Sequence, residues 1–192
     1  MRLRKESLIG LVFIALLIIL AYGSLSVIAK DKKNVPRAQH VKEALVSVDA
    51  PALARNDKNE RYAKENLKGA IKEIFFFGGS YKKADYTVIY ARYAEEMNIE
   101  SGIDSIINSF KDYALKYSTL ENEIDGNKGI RLEGSFTKDG KNFGIKAQLI
   151  KNETSFWQIM DIYRSTKDNE ELASKFMDSI KMDVKGEKKN KS

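Results

Sequence analysis

GIRLEGSFTKDGKNFGIKAQLIKNETSFWQIMDIYR, residues Gly129 to Arg164, is the stretch from which the fold is read. Asp139-Gly140 separates two runs of alternating polarity. A type I′ turn needs positive φ at both central residues, which this dipeptide supplies, so the pair predicts a β-hairpin. Centring the turn there sets Phe136 opposite Phe143, Gly134 opposite Ile145, Leu132 opposite Ala147 and Ile130 opposite Leu149. Side chains alternate along a strand, so these residues share one face, and Arg131, Glu133, Lys146 and Gln148 point the other way.

A second turn at Glu153-Thr154 extends the hairpin to a three-stranded meander. It brings Lys146 opposite Asp161, Gln148 opposite Ile159 and Ile150 opposite Trp157. Glu133, Lys146 and Asp161 then form a row across three strands. A catalytic reading makes Glu133 and Asp161 a carboxylate pair poised by the lysine. The plainer reading is a cross-strand charge ladder worth a few tenths to about 1 kcal/mol per pair. No nucleophile or further acid accompanies the row, which favours the ladder. Trp157, Ile159 and Tyr163 share that face beside Ile150. Exposed, they would mark a partner or ligand site; covered, they are core. The third strand is apolar on both sides, which fits a sheet with helices packed on both faces.

Around the meander, Leu45 to Val48 alternates as a short strand ended by Pro51, and Tyr86 to Tyr93 is β-branched and aromatic enough for another. Apolar residues recur at helical spacing from Asn59 to Ile74, with Gly78-Gly79 as the stop, and from Ser101 to Tyr117, with Ser101 as the cap and Asp104 at the capping-box position. The last helix is expected from about Asn169 to Lys181, with Leu172, Phe176 and Ile180 inward and Asp168 and Glu171 as its capping pair. Gly78-Gly79 lacks the spaced glycines and lysine of a phosphate loop and reads as a turn.

Leu8 to Ala29 is a nearly unbroken apolar run behind Arg2, Arg4 and Lys5, long enough to cross a hydrocarbon core of about 30 Å. It reads as a retained transmembrane anchor, the alternative being a cleaved signal peptide that releases a secreted domain. The formal charge of +6 is located at the ends of the chain, in the N-terminal residues, in Lys30–Lys33 and in the tail. Such placement suits anionic lipid better than nucleic acid. The absence of cysteine removes disulfides, thiolate catalysis and zinc–thiolate sites, and the single histidine, His40, has no ligand partner in sequence. No cofactor is expected. The resulting plan is a cytoplasmic tail at 1–7, the anchor at 8–29, a linker at 30–44 that contains His40, an α+β domain at 45–182 on the extracytoplasmic (periplasmic) side, and a disordered basic tail at 183–192.

Several pieces in this order carry a resemblance: an Ala-Pro closing a short strand at Val48-Asp49-Ala50-Pro51, then a helix, a strand and a second helix, then a strand starting Gly129-Ile130-Arg131-Leu132-Glu133-Gly134, the strand around Phe156-Trp157-Gln158-Ile159, and a closing helix that ends Phe176-Met177-Asp178-Ser179-Ile180-Lys181. From about Val46 to Met182 the chain resembles the PsbP-like fold family, whose bacterial members often sit outside the cytoplasmic membrane. The resemblance implies a central antiparallel sheet flanked by helices and a non-enzymatic adaptor or assembly role. Photosynthetic members act on a manganese–calcium complex, but no matching ligand cluster occurs here. The expected function is therefore a membrane-anchored binding or assembly domain for an envelope protein. A small-ligand or lipid carrier using a sheet–helix cleft near Trp157 is the alternative. An enzyme ranks third, because a hydrolytic one needs a nucleophile–base pair.

Overall fold

A computed structural model describes residues 34–67 and 69–183. The proposed anchor at 8–29 and the tail beyond Asp183 lie outside the described residues. Among the described residues, no helix is long and apolar enough to cross a membrane. The order is β1 (Arg37–Val41), β2 (Val46–Ala50), β3 (Ala54–Arg55), α1 (Asp57–Asn66), β4 (Ile71–Tyr81), β5 (Ala84–Tyr93), α2 (Ile99–Ser109), β6 (Lys116–Ile124), β7 (Asn127–Lys138), β8 (Lys141–Asn152), β9 (Ser155–Arg164), α3 (Lys167–Asp178) and β10 (Lys181–Met182).

Seven strands form one antiparallel sheet in the order β3-β4-β5-β9-β8-β7-β6, and β1-β2-β10 form a second, small one. The β7–β8 register is the one the Asp139-Gly140 turn dictates, with Leu132 opposite Ala147 and Phe136 opposite Phe143. Both turn residues have positive φ, 50° and 67°. The β8–β9 register also agrees, with Lys146 opposite Asp161 and Ile150 opposite Trp157.

Each face of the large sheet has its own apolar layer. On one face Ile74, Phe76, Ile89, Leu132, Ile145, Leu149 and Phe156 pack against Ala63 and Leu67 at the end of α1 and Ile99, Ile103 and Ile106 of α2. On the other, Tyr86, Val88, Tyr90, Ile150, Trp157 and Ile159 pack against Val46 and Val48 of β2 and Ala173, Phe176 and Met177 of α3. The protein is thus a sheet-rich α+β fold with helices on both faces, one of which is shared between α3 and the small sheet.

Five expectations are corrected. The segment read as linker at 30–44 contributes β1, which pairs along β2 and places His40 opposite Ser47. The helix expected from Asn59 to Ile74 stops at Asn66, and Ile71 and Ile74 belong to β4. Three consecutive phenylalanines favour a strand buried on both faces, and that tertiary preference overrides the helical spacing. Gly78 and Gly79 are inside β4 rather than at a turn. A Cβ on Gly79 would come within 2.6 Å of the Ala52 carbonyl, so the glycine serves close backbone approach. The true turn is Lys82-Lys83, at φ 48° and 64°.

The helix expected from Ser101 to Tyr117 is shorter, running Ile99–Ser109, and Asn98 rather than Ser101 caps it by accepting from the Glu100 amide. A 3-10 turn (Lys111–Tyr113) and a left-handed Ala114 lead into β6, to which Tyr117 belongs. The last helix starts two residues early: Thr166 caps it through the Asn169 amide at 3.3 Å, so Asp168 and Glu171 lie inside its first turns. It ends at Asp178, and Lys181-Met182 pairs with β2 as β10.

Candidate functional site

On the α3 side of the sheet, the meander aligns Tyr86, Asp161, Lys146 and Glu133 across β5, β9, β8 and β7. Lys146 is buried, and its Nζ meets Glu133 Oε2 at 2.9 Å. The row breaks at the next step, because Asp161 is fully buried and neither of its oxygens is hydrogen-bonded among the described residues. Burial holds the Asp161 carboxyl well above the usual carboxylate range, the charge of Asp85 adds to this, and Lys146 opposes it. The neutral form of this acid is therefore the one the core favours. Burial pushes the neighbouring Tyr86 hydroxyl up as well, and its oxygen is likewise unpartnered. A sealed Asp161 and an ion-paired Glu133 do not converge on an open cleft as an acid–base pair requires.

The apolar group beside this row is core. Trp157 is 1% exposed, Ile150 and Ile159 are 0%, and Tyr163 is 6%. Trp157 donates from Nε1 to the Ala44 carbonyl at 2.5 Å and tilts against the Tyr90 ring at 5.2 Å, which fastens it under the turn between β1 and β2. Tyr163 lies over Gly144, where a Cβ would come within 2.3 Å of its ring. The condition that would have made these residues a surface site, exposure, is not met in this structure.

A second polar cluster on the same face was not anticipated as a unit. Asn122 and Gln148 exchange side-chain amide bonds at 3.0 and 2.9 Å. Arg131 donates to Gln148 at 3.3 Å, to Asp178 at 3.0 Å and to the Met177 carbonyl at 3.3 Å. It clasps the C-terminal end of α3 to the sheet, where a cation also suits the helix dipole. A Cβ on Gly129 would come within 2.6 Å of Asn122 Oδ1, so this glycine makes room for the amide pair. His40, still exposed, meets Asp183 Oδ2 through Nδ1 at 2.9 Å, with Ser47 at 3.3 Å from the same nitrogen. Both contacts use one ring nitrogen, so the three side chains do not form a relay. Among the described residues, no group of three or more His, Asp or Glu is arranged to hold a metal ion.

The two edges of the large sheet differ most. At β4 the edge is occupied by β3, then by the Asn56 amide bonded to the Phe76 carbonyl at 2.8 Å. The buried Glu60 continues it, accepting from the Phe76 amide at 3.1 Å while Arg55 clamps its carboxylate at 2.9 and 2.7 Å. At the other edge, among the described residues, β6 pairs with β7 alone along its nine residues. Its Tyr117 and Leu120 are 48% and 66% exposed and lie on opposite faces of the strand. Sequence reading missed β6 by running a helix through Tyr117. The signal was present, for Asp125-Gly126 is a second Asp-Gly turn, with φ 49° and 82°.

No protein-family model matches the chain, and no curated protein does. Among solved structures, the solution structure of cyanobacterial PsbP from Synechocystis sp. PCC 6803 aligns at 12% identity and a TM-score of 0.46, over 83% of this chain and 99% of that one. LpqN, involved in cell envelope biogenesis of Mycobacterium tuberculosis, aligns at 9% identity and a TM-score of 0.41, over 56% and 70%. A Pseudomonas aeruginosa protein of unknown function aligns at 12% and 0.41, over 75% and 94%. At these identities and TM-scores the likeness carries no task with it. The chain aligns with cyanobacterial PsbP over most of its length, at a TM-score below the level that decides a shared fold.

Proposed function

We propose that this protein is a non-enzymatic binding domain, held at the extracytoplasmic side of a membrane by residues 8–29, that captures an extended segment of an envelope protein along β6. The observation that carries this reading is the contrast between a β4 edge filled by backbone and carboxylate and a nine-residue β6 edge of which seven residues are exposed. An unpaired edge offers a ladder of N–H and C=O groups, and natural folds leave one open at the risk of aggregation. Strand addition uses that ladder for affinity and flanking side chains for selectivity. Tyr117 and Leu120 supply an apolar contact on either side, and Glu121 and Glu123 favour a basic segment. A carrier cleft at Trp157 has no comparable support, because that region is filled by the protein's own side chains.

A photo-crosslinking residue at Thr119 in the full chain, compared with one at the exposed Lys64 of α1, tests the reading in native membranes. Adducts are expected from position 119 and not from 64, and a Tyr117→Glu/Leu120→Glu variant should lose them. Adducts that persist in that variant, or that form equally from position 64, would remove the assignment of β6.

A further inference from the structure

The near-neutral body of the chain is electrically polarised. One end of the large sheet gathers the Lys82-Lys83 turn, the Asp139-Gly140 turn with Lys138 and Lys141 across it, and the passage from Arg164 into Lys167 at the start of α3. These segments are tied together by backbone bonds from Arg164 to Lys83 and from Ser165 to Asn142, both 3.1 Å. None of the six cations is in a salt bridge among the described residues. With Lys111 and Lys116 they number eight, against Asp112, Asp139, Asp168 and Glu170 as exposed carboxylates of the same segments and the half-buried Asp85, which Ser80 holds at 2.5 Å. At the opposite end, by contrast, Lys128 is paired with Glu100, Lys151 with Glu96 and Arg92 with Glu73. Glu123, Asp125 and Glu153 are also exposed there.

The basic end has half-buried aromatics beneath its charges. Lys82 Nζ stands 5.7 Å from the Tyr81 ring, Lys138 Nζ 5.3 Å from Tyr113, and the Arg164 guanidinium 5.1 Å from Phe143. Aromatic rings with cations at their rim are the composition that settles at a membrane–water boundary. The chain also enters the fold at this end. Asn34 donates to the Ser80 carbonyl at 3.1 Å and accepts from the Ala52 amide at 2.6 Å, two residues from Lys82. Only Lys30 to Lys33 separate it from the apolar run that ends at Ala29, so Asn34 cannot lie more than about 18 Å from that run. The tail departs elsewhere: the Met182 amide bonds Asp125 at 2.8 Å, at the acidic end.

We propose that the basic end of the sheet, built by Lys82, Lys83, Lys138, Lys141, Arg164 and Lys167, is a docking face for an anionic lipid surface. It seats the domain with its strands directed away from the bilayer. The inference rests on the anchor reading of residues 8–29. Short tethering brings these charges within reach of headgroups, where each basic residue is worth about fivefold in binding. It also turns the acidic end outward.

The chain has no cysteine, so one can be introduced at Asn142 or Glu153 to carry an environment-sensitive fluorophore. Full-length protein is reconstituted with vesicles of phosphatidylcholine, alone or mixed with phosphatidylglycerol. The probe at 142 should shift to the blue only with the anionic lipid, and the probe at 153 should not shift. A Lys82→Glu/Lys83→Glu/Lys141→Glu variant should shift the seated–lifted balance by at least on the order of a hundredfold toward the lifted state. Flotation on phosphatidylcholine alone reads the anchor separately. Protein that floats there without the shift at 142, or with a shift at 153 instead, overturns the docking face and leaves the anchor standing. Protein that floats only on anionic vesicles, with the shift at 142, overturns the anchor and upholds the face; no flotation on either overturns both.

Discussion

The two faces of the large sheet are covered by different means. Beneath α2 the contact is almost wholly apolar and set by shape, while α1 adds its Glu60 at the β4 edge: α2 approaches so closely that a Cβ on Gly102 would come within 2.4 Å of Leu149 and 2.8 Å of Phe156. Gln158 is the one buried polar side chain of β9 on that face. Beneath α3 and the small sheet, the cover is fastened at named points, Trp157 to Ala44 and Arg131 to Asp178 and Met177, and it encloses Asp161, Lys146 and Gln148. A cover held by shape is indifferent to pH and yields to volume changes. A cover held by polar bonds over a buried acid should respond to both, and the following tests ask whether it does.

Trp157 is the largest single element of that second layer. Replacing it by alanine removes the bond to Ala44 and opens a cavity under β1 and β2, at a cost of about 3–5 kcal/mol. Chemical denaturation should show the loss. Trp157→Phe, which keeps most of the volume, should cost clearly less. Equal losses in the two variants would mean that the hydrogen bond, and not packing, holds the small sheet in place. Either way, Trp157→Ala tests stability rather than a surface contact.

Asp161 gives the second layer its pH response. Its folded pKa lies above the unfolded value, so between the two the folded state binds more protons than the unfolded. Stability from this group is therefore full below the unfolded pKa, about 4, and is lost as pH rises through the folded value, with a slope of at most about 1.4 kcal/mol per unit. Asp161→Asn removes the titration, so the variant should gain on the wild type as pH rises across that window. Glu96 and Glu100 have lowered pKa values through Lys151 and Lys128 and contribute with the opposite sign, but they cancel in the difference between the two proteins. A difference that stays constant with pH would show that Asp161 is ionised in the folded state.

How far these contrasts were legible in the sequence depends on what kind of signal each used. The meander could be read to the residue because an Asp-Gly turn and strict alternation act locally and leave one register. The same logic would have exposed β6 through Asp125-Gly126, but Ile106, Phe110 and Tyr117 continue a helical spacing in the sequence, although the helix ends at Ser109 and a 3-10 turn and Ala114, at φ 50°, follow it. Lys82-Lys83 gave no warning, because neither residue is a usual occupant of positive φ. The Asp161 row was placed correctly, yet its burial was not visible, since burial is decided by β1, β2 and α3, whose docking is a tertiary matter. The polarisation of the ends was hidden by a net charge near zero. A sum over residues cannot show that opposite signs occupy opposite turns of one sheet.

The Arg131 clasp should produce the smallest effect, and it separates a fastening from a mere contact. Arg131→Met removes the bonds to Asp178, Met177 and Gln148 while keeping much of the aliphatic stem, at an expected cost of about 1–2 kcal/mol. Asp178→Ala removes only an exposed partner and should cost less than about 1 kcal/mol. The sharper measurement is hydrogen exchange. In Arg131→Met the amides at the C-terminal turn of α3 should exchange faster, while those of α2 on the opposite face should keep their protection. If both helices loosened together, the two covers would be one cooperative unit, and the distinction between shape and fastening would be lost.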